Sequence, residues 1–263
     1  DMNGDGFSDI IVTFQSNTEV SKIFVVFGQN STSTGQFNIS NLNGANGFSF
    51  ISSVSGDLLG TDVSGLGDIN GDGLSDIIGT SPLGKAVIIL GSKQVFPSQF
   101  NITYLNGTTG FVINNIGYSW SVGDTGDVNG DGLNDILIGN YQALDLNNVM
   151  VGGAYLIYGN HTFSASFDVN NLNGKNGVFM YGVRGAGVIR KGMDINGDGL
   201  SEMFIADNYA NNGNGQAYVI FGSRNSFPAQ FNLTNLNGTN GFKLTNIMGT
   251  NQMFCNDVSN AGD

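Results

Sequence analysis

Four nine-residue segments of the chain are near-copies of one another: DMNGDGFSD at 1–9, DINGDGLSD at 68–76, DVNGDGLND at 127–135 and DINGDGLSE at 194–202. Asp263 falls where a fifth copy would begin, so the successive intervals are 67, 59, 67 and 69 residues. A second landmark keeps step with these acidic knots: LNGANGF at 42–48, LNGTTGF at 105–111, LNGKNGV at 172–178 and LNGTNGF at 236–242. A chain that repeats at a fixed period builds one supersecondary unit several times and buries each unit against its neighbours. This constraint outweighs any single motif.

Each unit reads alike. A β-branched run follows the knot (DIIVTF at 9–14, DIIGT at 76–80, DILIG at 135–139), and a second run follows a polar loop (KIFVVFG at 22–28, AVIILG at 86–91, AYLIYG at 154–159, AYVIFG at 217–222). An extended segment then leads to the LNG turn and a third run, and a short strand enters the next knot. The Asn-Gly and Asp-Gly pairs supply positive-φ residues for tight turns. Four short strands per unit at this period predict an all-β fold, a β-propeller of four-stranded blades. The predicted units are 1–67, 68–126, 127–193 and 194–262, within one segment spanning 1–263. A solenoid ranks second, because its repeats are normally shorter.

Residues ahead of the knots agree. Gly60, Ser119, Ala186 and Cys255, eight positions before a knot, are all small, and Val63, Val122, Ile189 and Val258, five before, are all aliphatic. Close packing at the first set is expected. Cys255, the one cysteine, reads as a buried small residue rather than a nucleophile, and it excludes an internal disulfide or a Cys-based metal site.

The net charge of −12 is local: the knots hold twelve of the twenty-one Asp and Glu, and the other nine acids equal the nine Lys and Arg in number. No basic stripe could follow a phosphate backbone, which argues against a nucleic-acid partner. No apolar run reaches the length of a membrane span.

Hard oxygen ligands at alternate positions are what Ca²⁺ selects. The expected donors are the side chains of Asp1, Asn3, Asp5 and Asp9 with the carbonyl of Phe7; Asp68, Asn70, Asp72 and Asp76 with that of Leu74; Asp127, Asn129, Asp131 and Asp135 with that of Leu133; and Asp194, Asn196, Asp198 and Glu202 with that of Leu200. One Ca²⁺ per repeat, four in the chain, is the expectation. Crowded carboxylates repel unless a cation lies between them. An EF-hand closes on Glu at position twelve, whereas Val12, Gly79, Ile138 and Ile205 stand there. Zn²⁺ would call for His or Cys, and Mg²⁺ for a smaller, water-rich shell.

A DxNxDGxxD loop entering a strand and repeating at this period resembles the FG-GAP repeats of the integrin α-subunit β-propeller. The run GTDVSGLGDINGDGLSDIIGTSP at 60–82 carries the resemblance best, with GTSP where GAP is usual. The Phe-Gly pair is replaced by Leu59-Gly60, Tyr118-Ser119, Gly185-Ala186 and Phe254-Cys255, and the fourth loop ends in Glu202. The resemblance implies seven blades, of which this chain supplies four units. Further units before and after it are therefore expected.

A hydrolase needs a nucleophile with a base or a spaced acid pair. His161, the one histidine, lies in the Asn160-His161-Thr162 turn and reads as a solvated loop residue without a counterpart in other units. The aromatics fall mostly in strand runs and read as core, leaving Trp120 and Tyr209 as loop candidates for a binding face. Sequons at Asn30, Asn38, Asn101, Asn106, Asn160, Asn232 and Asn237 mark candidate N-glycosylation sites, although Asp168 replaces Asn in one of the equivalent turns. The resulting expectation is a non-enzymatic, calcium-stabilised module outside the cell or on its surface, serving adhesion or surface assembly. Its partner would be a protein, a glycan or copies of itself. A coat or filament subunit and the accessory propeller of a larger secreted enzyme are the alternatives.

Overall fold

The computed structural model describes residues 1–30, 35–119, 121–144, 150–182, 186–207, 210 and 214–245. Trp120, Tyr209, Cys255, Val258 and Asp263 lie outside them. Among the described residues the regular elements named here are eighteen strands and four one-turn 3-10 segments. The strands form four sheets that follow one another along the chain.

The first sheet orders β1 (Ile10–Phe14), β2 (Val20–Val26), β3 (Gly47–Ser55) and β7 (Gln99–Asn101). The second orders β4 (Val63–Gly67), β5 (Asp76–Ser81), β6 (Lys85–Ile89), β8 (Gly110–Asn114) and β12 (Ser166–Asp168). The third repeats this with β9 (Ser121–Asp124), β10 (Ile136–Asn140), β11 (Gly153–Ile157), β13 (Gly177–Tyr181) and β17 (Gln230–Asn232). The fourth contains β14 (Ala186–Met193), β15 (Glu202–Asp207), β16 (Gln216–Ile220) and β18 (Gly241–Thr245).

These sheets are offset from the sequence repeat at both edges. The strand that ends one unit pairs antiparallel with the first strand of the next, as in Val63↔Gly79 and Ile138↔Val122. The knot is therefore the loop joining β4 to β5, β9 to β10 and β14 to β15. At the other edge, the short segment before each LNG turn adds a parallel strand to the preceding sheet: β7 on β3, β12 on β8 and β17 on β13.

Apolar side chains from consecutive sheets meet in three cores. Phe48, Phe50 and Val25 pack with Ile77, Val87 and Ile89; Ile78, Ile88 and Phe111 with Ile136 and Ile138; and Leu137, Leu156 and Met180 with Ile205, Tyr218 and Ile220. A strand covered on both faces loses the in–out alternation of a one-sided sheet. All residues of β5 and β10 are buried accordingly. In β1, by contrast, Ile10, Val12 and Phe14 remain exposed.

Many of the aromatics lie in the core as expected, whereas Phe7, Phe14, Phe37, Tyr104 and Phe242 are exposed. Phe96 stacks on Phe48 at 4.5 Å, and Phe163 stacks on Phe111 at 4.3 Å, each ring coming from the segment that precedes the added parallel strand. That segment is capped: Asn38, Asn101, Asp168 and Asn232 each accept a hydrogen bond from the backbone N–H two residues on, opening a 3-10 turn. Asp does this as well as Asn. Capping thus accounts for the equivalence of these positions without a glycan.

Candidate metal-binding loops

Each knot is closed by its own side chains in the same way. In the third, both carboxylate oxygens of Asp127 accept backbone N–H bonds: Oδ1 from Gly130 (2.6 Å) and Asp131 (3.1 Å), Oδ2 from Gly132 (2.8 Å). Asn129 Oδ1 accepts from the Asp131 N–H at 2.9 Å, and Asp131 Oδ1 accepts from that of Leu133 at 2.9 Å. The other three knots repeat this first-residue pattern through Asp1, Asp68 and Asp194. The chain can wind this tightly because positions four and six adopt positive φ, +77° at Gly130 and +89° at Gly132, where a side chain would be strained.

The ninth residue does something different. Asp135 Oδ2 accepts from Val128 N–H at 2.9 Å, inside the knot, while its Oδ1 accepts from Gly159 N–H at 2.9 Å, just past β11. Asp9 joins Met2 to Gly28, and Asp76 joins Ile69 to Gly91, in the same manner. A methyl group built on Gly159 would lie 2.6 Å from the Asn134 carbonyl oxygen, so the approach admits only glycine. The closing carboxylate therefore ties the knot to the sheet.

Burial makes that tie electrostatically costly. Asp76 and Asp135 are fully buried. Desolvation pushes Asp76 up to about 7 and Asp135 up to about 8, against the opposing pull of two N–H bonds each, and the two other aspartates of each knot add to the rise. Glu202 is raised as well, chiefly by burial. Asp194, exposed and surrounded by backbone N–H donors with Gly199 first among them, is held below the usual carboxylate range. A carboxylate oxygen that accepts one N–H still has a lone pair for a cation.

Within each knot the side chains at positions one, three and five close the loop through backbone N–H groups, and the ninth residue binds the N–H of the second. Among the described residues, the fourth knot converges furthest: Asp194, Asp198 and Glu202 each offer an oxygen within 4.8 Å of the others. The extra methylene of Glu202 brings its Oε1 to 3.3 Å from Asn196 Nδ2 while Oε2 still accepts from Ile195 N–H at 2.6 Å. An all-oxygen set rich in carboxylate fits Ca²⁺ in kind and charge.

The knots also contact one another, which sequence reasoning missed. The carbonyl oxygens of Asp1, Asp68 and Asp127 accept from the N–H of Ser75, Asn134 and Ser201, the eighth residue of the following knot, at 2.9–3.0 Å. Those of Met2, Ile69 and Val128 accept from Ser92, Asn160 and Ser223 at 2.7–2.9 Å. All four knots therefore form one hydrogen-bonded row. His161 belongs to that row: its Nδ1 is 2.9 Å from the Asn70 carbonyl oxygen. It stands two residues after Gly159, where Lys93 follows Gly91 and Arg224 follows Gly222. The expectation that His161 has no counterpart holds for residue type and fails for position; lining up the units on these glycines would have revealed it.

Residues 119–157, which span β9, the third knot, β10 and β11, match the family model described as FG-GAP repeat. Over 164 residues the chain is 30% identical to Integrin alpha-PS2 of Drosophila melanogaster, a stretch covering 60% of this chain and 11% of that relative. On both counts the chain is similar to FG-GAP repeat, integrin alpha-like proteins. The matched FG-GAP segment contains β9, the third knot and the β10–β11 hairpin, and ends just before Gly159. No helix among the described residues is long and apolar enough to cross a membrane.

Proposed function

We propose that this chain is a calcium-stabilised, non-enzymatic β-propeller module that works outside the cell or on its surface, in adhesion or surface assembly. The four sheets are then blades, the first three completed by a strand from the next unit, and the FG-GAP, integrin alpha-like kinship supports a protein partner. The observation that carries the calcium reading is the row of four knots with one donor pattern, closing most tightly at Asp194, Asp198 and Glu202. In this reading the side chains at positions one, three, five and nine hold the ion, together with the carbonyl at seven. Bound Ca²⁺ supplies positive charge among carboxylates that otherwise repel. The side chains supply the cradle, and the backbone N–H groups keep it in shape.

Ligands that bind only the folded state stabilise it by mass action, about 2.7 kcal/mol per site at a hundredfold excess over Kd. EDTA should therefore lower the melting temperature by roughly 10 °C or more, and added Ca²⁺ should restore it. Identical melting curves with and without the chelator would reject the calcium reading. Calorimetry should count about four sites, and the Asp131→Ala variant should lose one.

A further inference from the structure

The acidic row is interleaved with bases. Lys93 lies over Gly4 of the first knot, with its Cε 3.1 Å and its Cγ 3.2 Å from where a methyl group on that glycine would sit. Arg224 lies over the third knot, its Nη1 2.6 Å from the corresponding point on Gly130, and its Nη2 reaches toward the fourth, 3.9 Å from that point on Gly199. His161 covers Gly71 of the second knot, with its Cε1 at 2.6 Å. These side chains are not placed by chance. Each follows the residue (Ser92, Asn160 or Ser223) whose N–H is bonded to the second carbonyl of the knot it covers. The position is built by the backbone, and the units fill it with Lys, His and Arg, whereas the first unit has Asn30 there.

We propose that Lys93 and Arg224 are affinity-setting residues: each offsets the mutual repulsion of the aspartates beneath it when no ion is bound, and opposes entry of a divalent cation when one arrives. This rests on the calcium reading above and adds to it a ranking of the knots. A fixed positive charge close to a binding site acts with opposite sign on the two states. It stabilises the metal-free knot and weakens the loaded one. Lys93 acts on the first knot. Arg224 acts on the third, and more weakly on the fourth, which lies farther from its guanidinium.

The test compares wild type with Lys93→Met and Arg224→Gln, using Lys93→Arg as the charge-preserving control. Measurements are Ca²⁺ calorimetry at low ionic strength and melting in EDTA. The charge-removing variants should bind Ca²⁺ about three- to fivefold more tightly at the affected knot, and salt near 1 M should erase the difference. In EDTA they should melt below wild type at low salt, while Lys93→Arg matches wild type in both assays. Unchanged affinity and unchanged metal-free melting would overturn the proposal. So would a loss of metal-free stability that persists at high salt, since it would mark lost packing rather than lost charge. If wild type itself binds no Ca²⁺, the calcium reading fails first, and the affinity-setting role falls with it.

Discussion

The first and third knots differ at three of nine positions, and their internal hydrogen bonds match almost atom for atom. Their surroundings do not match. In the third, β9 pairs along β10 and the neighbouring sheets close over both, so Asp135 is wholly buried and Leu133 nearly so. In the first, Phe7 is 41% exposed, Asp9 is only partly covered, and the strand that follows exposes Ile10, Val12 and Phe14. A nine-residue motif therefore specifies a loop's shape, while the stacking of sheets decides what its charges cost. Nominally equivalent sites can differ thermodynamically without any change in their donors.

The largest consequence should appear as a pH dependence of the metal-free protein. Asp76 and Asp135 are raised to about 7 and about 8 in the folded chain, whereas an unfolded aspartate titrates near 4. Between those values the folded state binds more protons than the unfolded one. Their stabilising contribution is therefore present in full below about pH 4 and lost as pH rises through 7 to 8. Urea denaturation in EDTA should show stability falling across that window by on the order of a few kcal/mol. Asp135→Asn, which cannot ionise, should make the fall shallower and leave the share that Asp76 contributes. A flat wild-type profile would break the contrast between the two knots.

A second test removes the ties themselves at pH 6, below the range in which Asp135 ionises. Asp135→Ala strands the buried N–H groups of Val128 and Gly159, at a cost of roughly 2–4 kcal/mol. At Asp9 water can reach part of the site, so Asp9→Ala should cost about 1 kcal/mol or less. Equal losses in denaturant midpoint would show that burial does not separate the knots.

Much of the architecture was legible in the sequence because it is local. The Asn-Gly and Asp-Gly turns, the apolar runs and the knots all announce themselves within a dozen residues. The all-β fold and the convergence of Asp194, Asp198 and Glu202 were available at that level. The offset of the sheets was not, because the pairing of β3 with β7 joins Phe50 to Phe100 and leaves no local trace. Nor could the sequence distinguish Asp9 from Asp135, since their neighbours come from other units. Lys93, His161 and Arg224 were visible as residues, but their common position emerges only when the units are aligned on Gly91, Gly159 and Gly222 instead of on the knots.

The smallest effect sharpens the comparison inside one knot. Gly132→Ala meets no atom within 4 Å and should cost only the strain of positive φ, about 1 kcal/mol. Gly130→Ala meets the same strain and also displaces Arg224 and Leu200, whose Cδ2 would lie 2.9 Å away; about 2 kcal/mol is expected. Thermal melts of the two variants would sink the idea of contact along the row if they coincided.

The borrowed edge strand sets a timetable for synthesis. The strand beside that edge (β3, β8 or β13) leaves the ribosome 44 to 52 residues ahead of the short parallel strand that completes its sheet. At about 5–20 residues per second, each of these three sheets waits roughly 2–10 s with an unpaired edge. During that interval another nascent chain of the same sequence could donate the missing strand instead. Slow elongation or dense packing of ribosomes on one message would then favour entangled pairs of chains, joined at β3, β8 or β13 in place of their own β7, β12 or β17.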